Sequence, residues 1–190
     1  MSDVKINSPQ VSWSSVARRI RVPLSFACAV VYFWLAHPSS KSIIAGTLIV
    51  IPGLVVRALA SGHVKKNEEL ATCGPYAYTR NPLYLGSLIL AFGFVLAARS
   101  WWIAAVLLTM FFAIYLPVIR GEEAFLRQRF PDYEAYESKV PRLLPKLRGL
   151  SCNDAKFSLD LYRKHREYNA LIGAVAMIAL LAGKMHWLSK

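Results

Sequence analysis

Five stretches of the chain carry no charged residue: Val22–Ser40, Ser42–Val56, Asn81–Ala98, Ser100–Ile119 and Tyr168–Gly183, of 19, 15, 18, 20 and 16 residues. A helix needs roughly 20 apolar residues, within a range of about 17 to 25, to cross a hydrocarbon core of ~30 Å. Three stretches meet that length, and the other two reach it with their flanks. Arg57 near a helix end can lay its stem along the helix and place its guanidinium among headgroups, which extends the second span to about Ala60. Tyr168 and Trp187 flank the last stretch as rings that settle at a membrane interface. The pattern predicts an all-α polytopic bundle of five transmembrane helices, the last over about 168–187; the alternative for that last helix is to lie on the membrane surface.

The polar stretches carry their own signals. Residues 1–21 place Trp13, Val16 and Ile20 at helical spacing around Arg18 and Arg19, which reads as a short amphipathic helix on the membrane surface or as a disordered tail. After the fourth span the helical pattern continues through Glu122 and Glu123 to about Phe130. It breaks at Pro131, resumes from Tyr133 to Lys139 and ends at Pro141. The first 21 residues are polar and basic, and no small-residue cleavage site follows the first apolar stretch, so that stretch is expected to stay as a span and not to act as a secretory signal.

Composition agrees with a membrane protein. At 190 residues, 55% hydrophobic and a mean hydropathy of +0.36, the chain is too apolar for a soluble domain of its size, and disordered or fibrous classes are excluded. The net charge of +12 raises nucleic acid as a partner, but the distribution points elsewhere. Assigning loops by alternation puts 19 of the 23 Lys and Arg on one side, in 1–21, 57–80 and 120–167. The positive-inside rule makes that side cytoplasmic and the N-terminus cytoplasmic with it. All 11 acidic residues fall in the same segments, so the face is a mixed-charge surface suited to an anionic leaflet. The expected partner is the lipid bilayer, with no nucleic acid and no obligatory protein partner. The expected location is the inner membrane of a prokaryote or the endoplasmic reticulum of a eukaryote. Cys28, Cys73 and Cys152 and the four histidines are scattered without ligand spacing, so neither a metal site nor a disulfide is expected.

Two constellations could carry chemistry. Gly74-Pro75 marks a turn, and Asn81-Pro82 marks a helix start, Asn as cap and Pro at the first helical position. With Arg80 beside it, that start favours an anionic group, and Gly86 one turn on allows close approach of a backbone or a ligand. The bland alternative is a capped helix with Gly86 as a packing contact. Glu122 and Glu123 leave the fourth span on the helix that forms a hairpin with this one, which returns them to the level of Arg80. Adjacent carboxylates point about 100° apart. Arg127, four residues after Glu123, offers that glutamate a surface pair and favours Glu122 as the inward group, but the sequence leaves open which of the two faces inward.

Lys66-Asn67-Glu68-Glu69-Leu70, Gly74-Pro75-Tyr76, Arg80-Asn81-Pro82-Leu83-Tyr84-Leu85-Gly86, Glu122-Glu123 and Val140-Pro141-Arg142-Leu143-Leu144-Pro145 together resemble the isoprenylcysteine carboxyl methyltransferases and their phospholipid methyltransferase relatives, over about residues 57–148. The resemblance implies a membrane enzyme that uses S-adenosylmethionine and releases S-adenosylhomocysteine. Its cofactor pocket would lie at the cytoplasmic ends of the helix hairpin. Carried over by position, Glu69, Leu70, Gly74, Pro75, Tyr76, Arg80, Asn81, Pro82, Tyr84 and Gly86 would line it from one side. Glu122 or Glu123, with Arg142 and Leu143, would close the other. Arg80, Glu122 and Glu123 are the catalytic candidates. The chain departs from the family's commonest form with Asn81 in place of His, with Phe130-Pro131 in place of Phe-Gly, and with an apolar segment after the last motif.

The implied reaction is methyl transfer to a lipophilic small-molecule or prenylated acceptor. A carboxylate acceptor is already anionic at neutral pH and would be oriented by Arg80 or Arg142, with a glutamate holding the cofactor. A phospholipid amine would instead need a carboxylate such as Glu122 to take its proton. Readings of other classes are an NADPH-dependent sterol or isoprenoid reductase, a non-catalytic membrane scaffold and a transporter. The last is disfavoured by spans without deep charges.

Overall fold

A computed structural model of the chain describes residues 27–65, 68–152 and 156–188; the tail read as amphipathic or disordered lies outside these residues. Helix α1 is described over 27–35. Helix α2 spans Ser40–Ser61, α3 Pro82–Ala98 and α5 Tyr133–Lys139. Between α3 and α5, α4 runs as one 29-residue helix, Trp101–Arg129. Helix α6 spans Leu159–Lys164 and α7 Tyr168–Leu188. Among the described residues the only other regular element is the short 3₁₀ turn Gly74–Ala77. Helices α2, α4 and α7 are long and apolar enough to cross a membrane, while α3 is apolar but shorter, at 17 residues.

Small residues bring α2 and α3 into backbone contact. A Cβ placed on Gly46 would fall 2.5 Å from the Gly93 carbonyl oxygen, and one on Gly93 would fall 2.8 Å from that of Gly46. Gly53 and Gly86 repeat the arrangement one turn pair further along, each 3.0 Å or less from the other's carbonyl oxygen. Such approach gives dispersion contact that bulkier side chains would prevent. Helix α2 starts on a capping box between Ser39 and Ser42, and Ser42 also donates to the Ala97 carbonyl at the far end of α3.

Arg99, in the left-handed region at φ 52°, closes α3 and turns the chain into α4, as the expected tight hairpin. Helix α4 carries a π turn at Phe111–Tyr115, just before Pro117. Pro cannot donate the regular helical bond, and π turns recur near functional sites. At the hairpin end of the bundle, Tyr32, Ala36, Ala97, Ala98, Ile103 and Leu181 form a core of α1, α3, α4 and α7. There the Lys184 ammonium donates to the carbonyls of Phe33, Trp34 and Ala36, satisfying the end of α1 with a cation. Trp34, Trp101, Trp102 and Trp187 all stand exposed at this same end, the arrangement of an interfacial aromatic belt. Ile44, Leu48, Ile51, Phe92, Leu108, Ile172 and Val175 face outward below it. This outward apolar surface accords with helices long and apolar enough to cross a membrane.

At the opposite end the chain after α5 forms a strap over the start of α3. Arg80 N–H donates to the Pro141 carbonyl at 2.9 Å, and the amides of Lys146 and Leu150 donate to Tyr78 and Ala77. Cys73 and Cys152, 79 residues apart, are disulfide-bonded and pin the strap's far end. This corrects the expectation of no disulfide: the partners are brought together by the return of the strap, and no local spacing announces it.

Candidate functional site

The hairpin of α3 and α4 brings the Arg80-Asn81 motif and the glutamate pair to one level, and the strap closes over both. Glu123 is the hub, only 4% exposed. Its Oε1 accepts from the Asn81 side-chain amide at 3.0 Å and lies 3.7 Å from the Arg80 guanidinium. Its Oε2 accepts from Arg142 through both Nε and a terminal nitrogen, each at 2.9 Å. Arg80 pairs in turn with Glu137 of α5, which also takes Arg127. One network therefore joins α3, α4, α5 and the strap.

This geometry decides one open question and reverses one expectation. Of the two glutamates Glu123 is the buried one, although the sequence leaned to Glu122; Arg127, expected on Glu123, is drawn to Glu137. The reason is the chain reversal at Pro131, which folds α5 back along α4 and offers Arg127 a carboxylate that helical spacing cannot reveal. Asn81 stands at the N-cap of α3 but makes no capping bond. Its amide is turned instead to Glu123 and to the Arg142 carbonyl, at 3.1 Å, where two acceptors require a donor.

Charges in the network support one another. Burial works against the Arg80 charge, but Glu137 and Glu123 more than offset it, so the guanidinium holds its proton more tightly than usual. Hydrogen bonds from Arg127 and Arg80 hold the Glu137 carboxyl below the ordinary glutamate range. Two buried polar atoms of the same site, Arg80 Nε and the Tyr133 hydroxyl, belong to side chains that interact with each other but make no regular hydrogen bond among the described residues. Such atoms are rare in folded proteins, because a donor without a partner costs about 1–3 kcal/mol, and they mark places where a ligand can bind.

The other sequence candidates take varied positions. Tyr76 is buried, its carbonyl accepts from the Tyr136 hydroxyl at 2.8 Å, and burial together with Glu122 and Glu167 raises its own hydroxyl pKa. Glu122 is half-buried on that side and makes no hydrogen bond or ion pair with another described residue. The Leu143 carbonyl, with that of Arg142, accepts from Thr79, which fixes the strap. Gly74 turns the chain at φ 60° against the His63 ring, and the Pro75 carbonyl accepts from the amides of Tyr78 and Thr79. Pro82 is buried at the start of α3, and Tyr84 stacks edge-on with Tyr115 of α4. Leu70 packs under Tyr133, Tyr136 and Val140. Glu69 lies outside the network, in an exposed pair with Lys65. Gly86 faces α2, where a Cβ would strike the Arg57 stem at 2.5 Å.

Sequence reasoning missed Glu137, Thr79 and a second polar cluster. Arg57 of α2 pairs with Glu167, which precedes α7, and donates to Ser87 of α3. Arg57 was expected to reach toward headgroups; it is instead 23% exposed and turned into the bundle. Its partner lies 110 residues away, beyond any helical spacing.

The fold is an apolar helical bundle, with helices long and apolar enough to cross a membrane and a buried polar cluster at one end of a helix hairpin. Residues 50–133, from the middle of α2 to the first residue of α5, match the phospholipid methyltransferase family. The matched segment includes Arg80, Asn81 and both glutamates; Glu137 and Arg142 lie just beyond. Over 83 residues the chain is 37% identical to the cobalt-zinc-cadmium resistance protein CzcN of Cupriavidus metallidurans, covering 44% of this chain and 38% of that protein. It is 35% identical over 83 residues to the nickel-cobalt-cadmium resistance protein NccN of Alcaligenes xylosoxydans xylosoxydans, covering 44% and 39%. The match thus spans under two fifths of the length of each relative. No solved structure matches the chain.

Proposed function

We propose that the protein is an S-adenosylmethionine-dependent methyltransferase acting on a lipophilic acceptor. The observation that carries this reading is a pair of buried polar atoms, Arg80 Nε and the Tyr133 hydroxyl, that make no regular hydrogen bond among the described residues and lie within the segment that matches a methyltransferase family. Both suit the carboxylate of the cofactor's amino-acid end. Glu122, half-buried beside Tyr76, would take a hydroxyl or ammonium group of the same molecule. When bound, the cofactor supplies a sulfonium methyl group, which an acceptor's lone pair takes by in-line displacement while the sulfur keeps the bonding electrons as a neutral thioether.

What the chain must then provide is positioning and exclusion of water. The Glu123 network holds the helix ends and the strap together around the reacting groups. Arg142, 39% exposed in its side chain, presents a cation at the rim that suits a carboxylate acceptor, as in the isoprenylcysteine type of O-methylation. Glu122 favours a second reading: a carboxylate in no ion pair with another described residue can take the proton of an amine acceptor, as in N-methylation of a phospholipid.

The test is a thermal-shift titration of the detergent-solubilised protein. S-adenosylhomocysteine is expected to raise Tm by mass action, and NADPH is not. Tyr133→Phe removes only the hydroxyl, so it should keep the ligand-free Tm while weakening the shift. A shift with NADPH and none with S-adenosylhomocysteine would replace this reading by the reductase one.

A further inference from the structure

An apolar cavity of about 260 Å³ lies between α1, α3, α4 and α7. On α3 it is lined by Tyr84, Ser87, Ala91 and Phe94, which share one helix face and span ten residues, or about 15 Å of rise. The end at Tyr84 adjoins the site already described, one turn from Asn81. That end holds the polar side chains Tyr84, Tyr115 and Ser87, the last accepting from Arg57. Toward the other end the lining is hydrocarbon and sulfur except for Tyr32, whose hydroxyl is spent on the Phe94 carbonyl at 2.8 Å. The π turn of α4 borders the cavity through Phe111 and Tyr115, so the helix departs from regular geometry where it meets this space.

The opposite wall is α7. Gly173 and Met177 line the cavity, and a Cβ built on Gly173 meets no atom within 4 Å. Gly46, Gly53, Gly86 and Gly93 are packed against the backbone of a facing helix, whereas Gly173, like Gly183 further along α7, meets no described atom, and of these two Gly173 is the one that lines the cavity. Neither α7 nor α1 belongs to the segment that matches the family.

We propose that this cavity holds the hydrocarbon chain of the methyl acceptor, with its reacting head at Tyr84 and Ser87, and that α7 determines which chains fit through Gly173 and Met177. The occupant is an amphiphile with a linear apolar chain. An apolar slot about 15 Å long with its polar end at the reaction site matches that shape. Glu167 supports the arrangement as a positioning residue, since its pair with Arg57 anchors the start of α7 beside Ser87. The inference rests on the methyltransferase reading for the identity of the head's reaction, though not for the occupancy of the cavity.

The test uses the full chain in nanodiscs with a diazirine-bearing palmitate as probe, photolysed and mapped by mass spectrometry. Adducts are expected on Ala91, Phe94 and Met177, and Gly173→Leu, which fills open space without a clash, should reduce them at least tenfold. Gly173→Leu should leave the S-adenosylhomocysteine thermal shift unchanged. Adducts confined to outward residues such as Leu48, Phe92 and Ile172, or cavity adducts indifferent to Gly173→Leu, overturn the proposal while leaving the cofactor reading standing. Cavity adducts lost in Gly173→Leu without any S-adenosylhomocysteine shift in the parent would retain the chain site and remove the methyltransferase reading.

Discussion

The Asn81 amide donates to Oε1 of Glu123 at 3.0 Å across 42 residues of chain, and this bond ties the start of α3 to the continuation of α4. An amide does not titrate, so the donor side of this contact does not change with pH. Its geometry also explains why a residue placed as a helix cap makes no cap. Beside a buried carboxylate and a carbonyl, the amide's two donors are better used there.

Asn81→Asp tests that assignment with almost no change of shape. The donor becomes an acceptor facing Glu123 and the Arg142 carbonyl, and like charges this close cannot both ionise. We expect a loss of about 3 kcal/mol or more, seen as a clear fall in Tm. Unchanged Tm would mean that the bond does not hold the site together.

The two glutamates should separate cleanly. Glu123→Gln leaves Arg80 and Arg142 short of a buried counter-charge. Breaking a buried pair costs about 3–5 kcal/mol, and the partial exposure of Arg142 moves the expectation to the lower end. Glu122→Gln breaks no ion pair with another described residue and should leave the folding free energy within about 0.5 kcal/mol of the parent, seen as a nearly unchanged Tm. Its effect falls on function: weakened cofactor binding if Glu122 holds the cofactor, or normal binding with turnover that recovers as pH rises if it takes a proton from an amine. The reverse assignment, with Glu122→Gln unfolding the protein, is excluded by one pair of melting curves.

Glu137 gives stability a pH dependence of known sign. Its folded pKa is lowered by hydrogen bonds from Arg127 and Arg80, so its contribution is present above the ordinary carboxylate range and is lost as pH falls through the lowered folded value. Tm of the parent should therefore decline below about pH 4. Glu137→Gln should start lower at pH 7 and show a flatter profile. Equal slopes for the two proteins would show that the pair contributes nothing to stability.

The Cys73–Cys152 bond closes a loop of 79 residues that contains both arms of the hairpin. Chain-entropy arguments give such a bond on the order of 4 kcal/mol, and less where the helices stay associated with lipid when unfolded. Adding a thiol reductant, or Cys152→Ser, should lower Tm and weaken the S-adenosylhomocysteine shift, because the strap carrying Arg142 and Leu143 loses its far anchor. Free-thiol counting by mass spectrometry before and after reduction checks that the bond was present.

The hydrophobic pattern by itself determined the helical class, the break at Pro131, the short helix Tyr133–Lys139 and the turn at Arg99, because helix length, proline geometry and charge placement are local properties. The motif from Arg80 to Gly86 and the glutamate pair were legible for the same reason: each lies within two helical turns. Tertiary structure decided the rest. Glu123 and not Glu122 became the hub because α5 folds back and supplies Glu137 to Arg127. Cys73 found Cys152, and Arg57 found Glu167, across 79 and 110 residues. Gly86 turned toward α2 and Gly173 toward open space, although the two glycines look alike in sequence. Long-range pairing depends on how helix faces meet, and a face's partner is set by packing of the whole bundle, which no local spacing records.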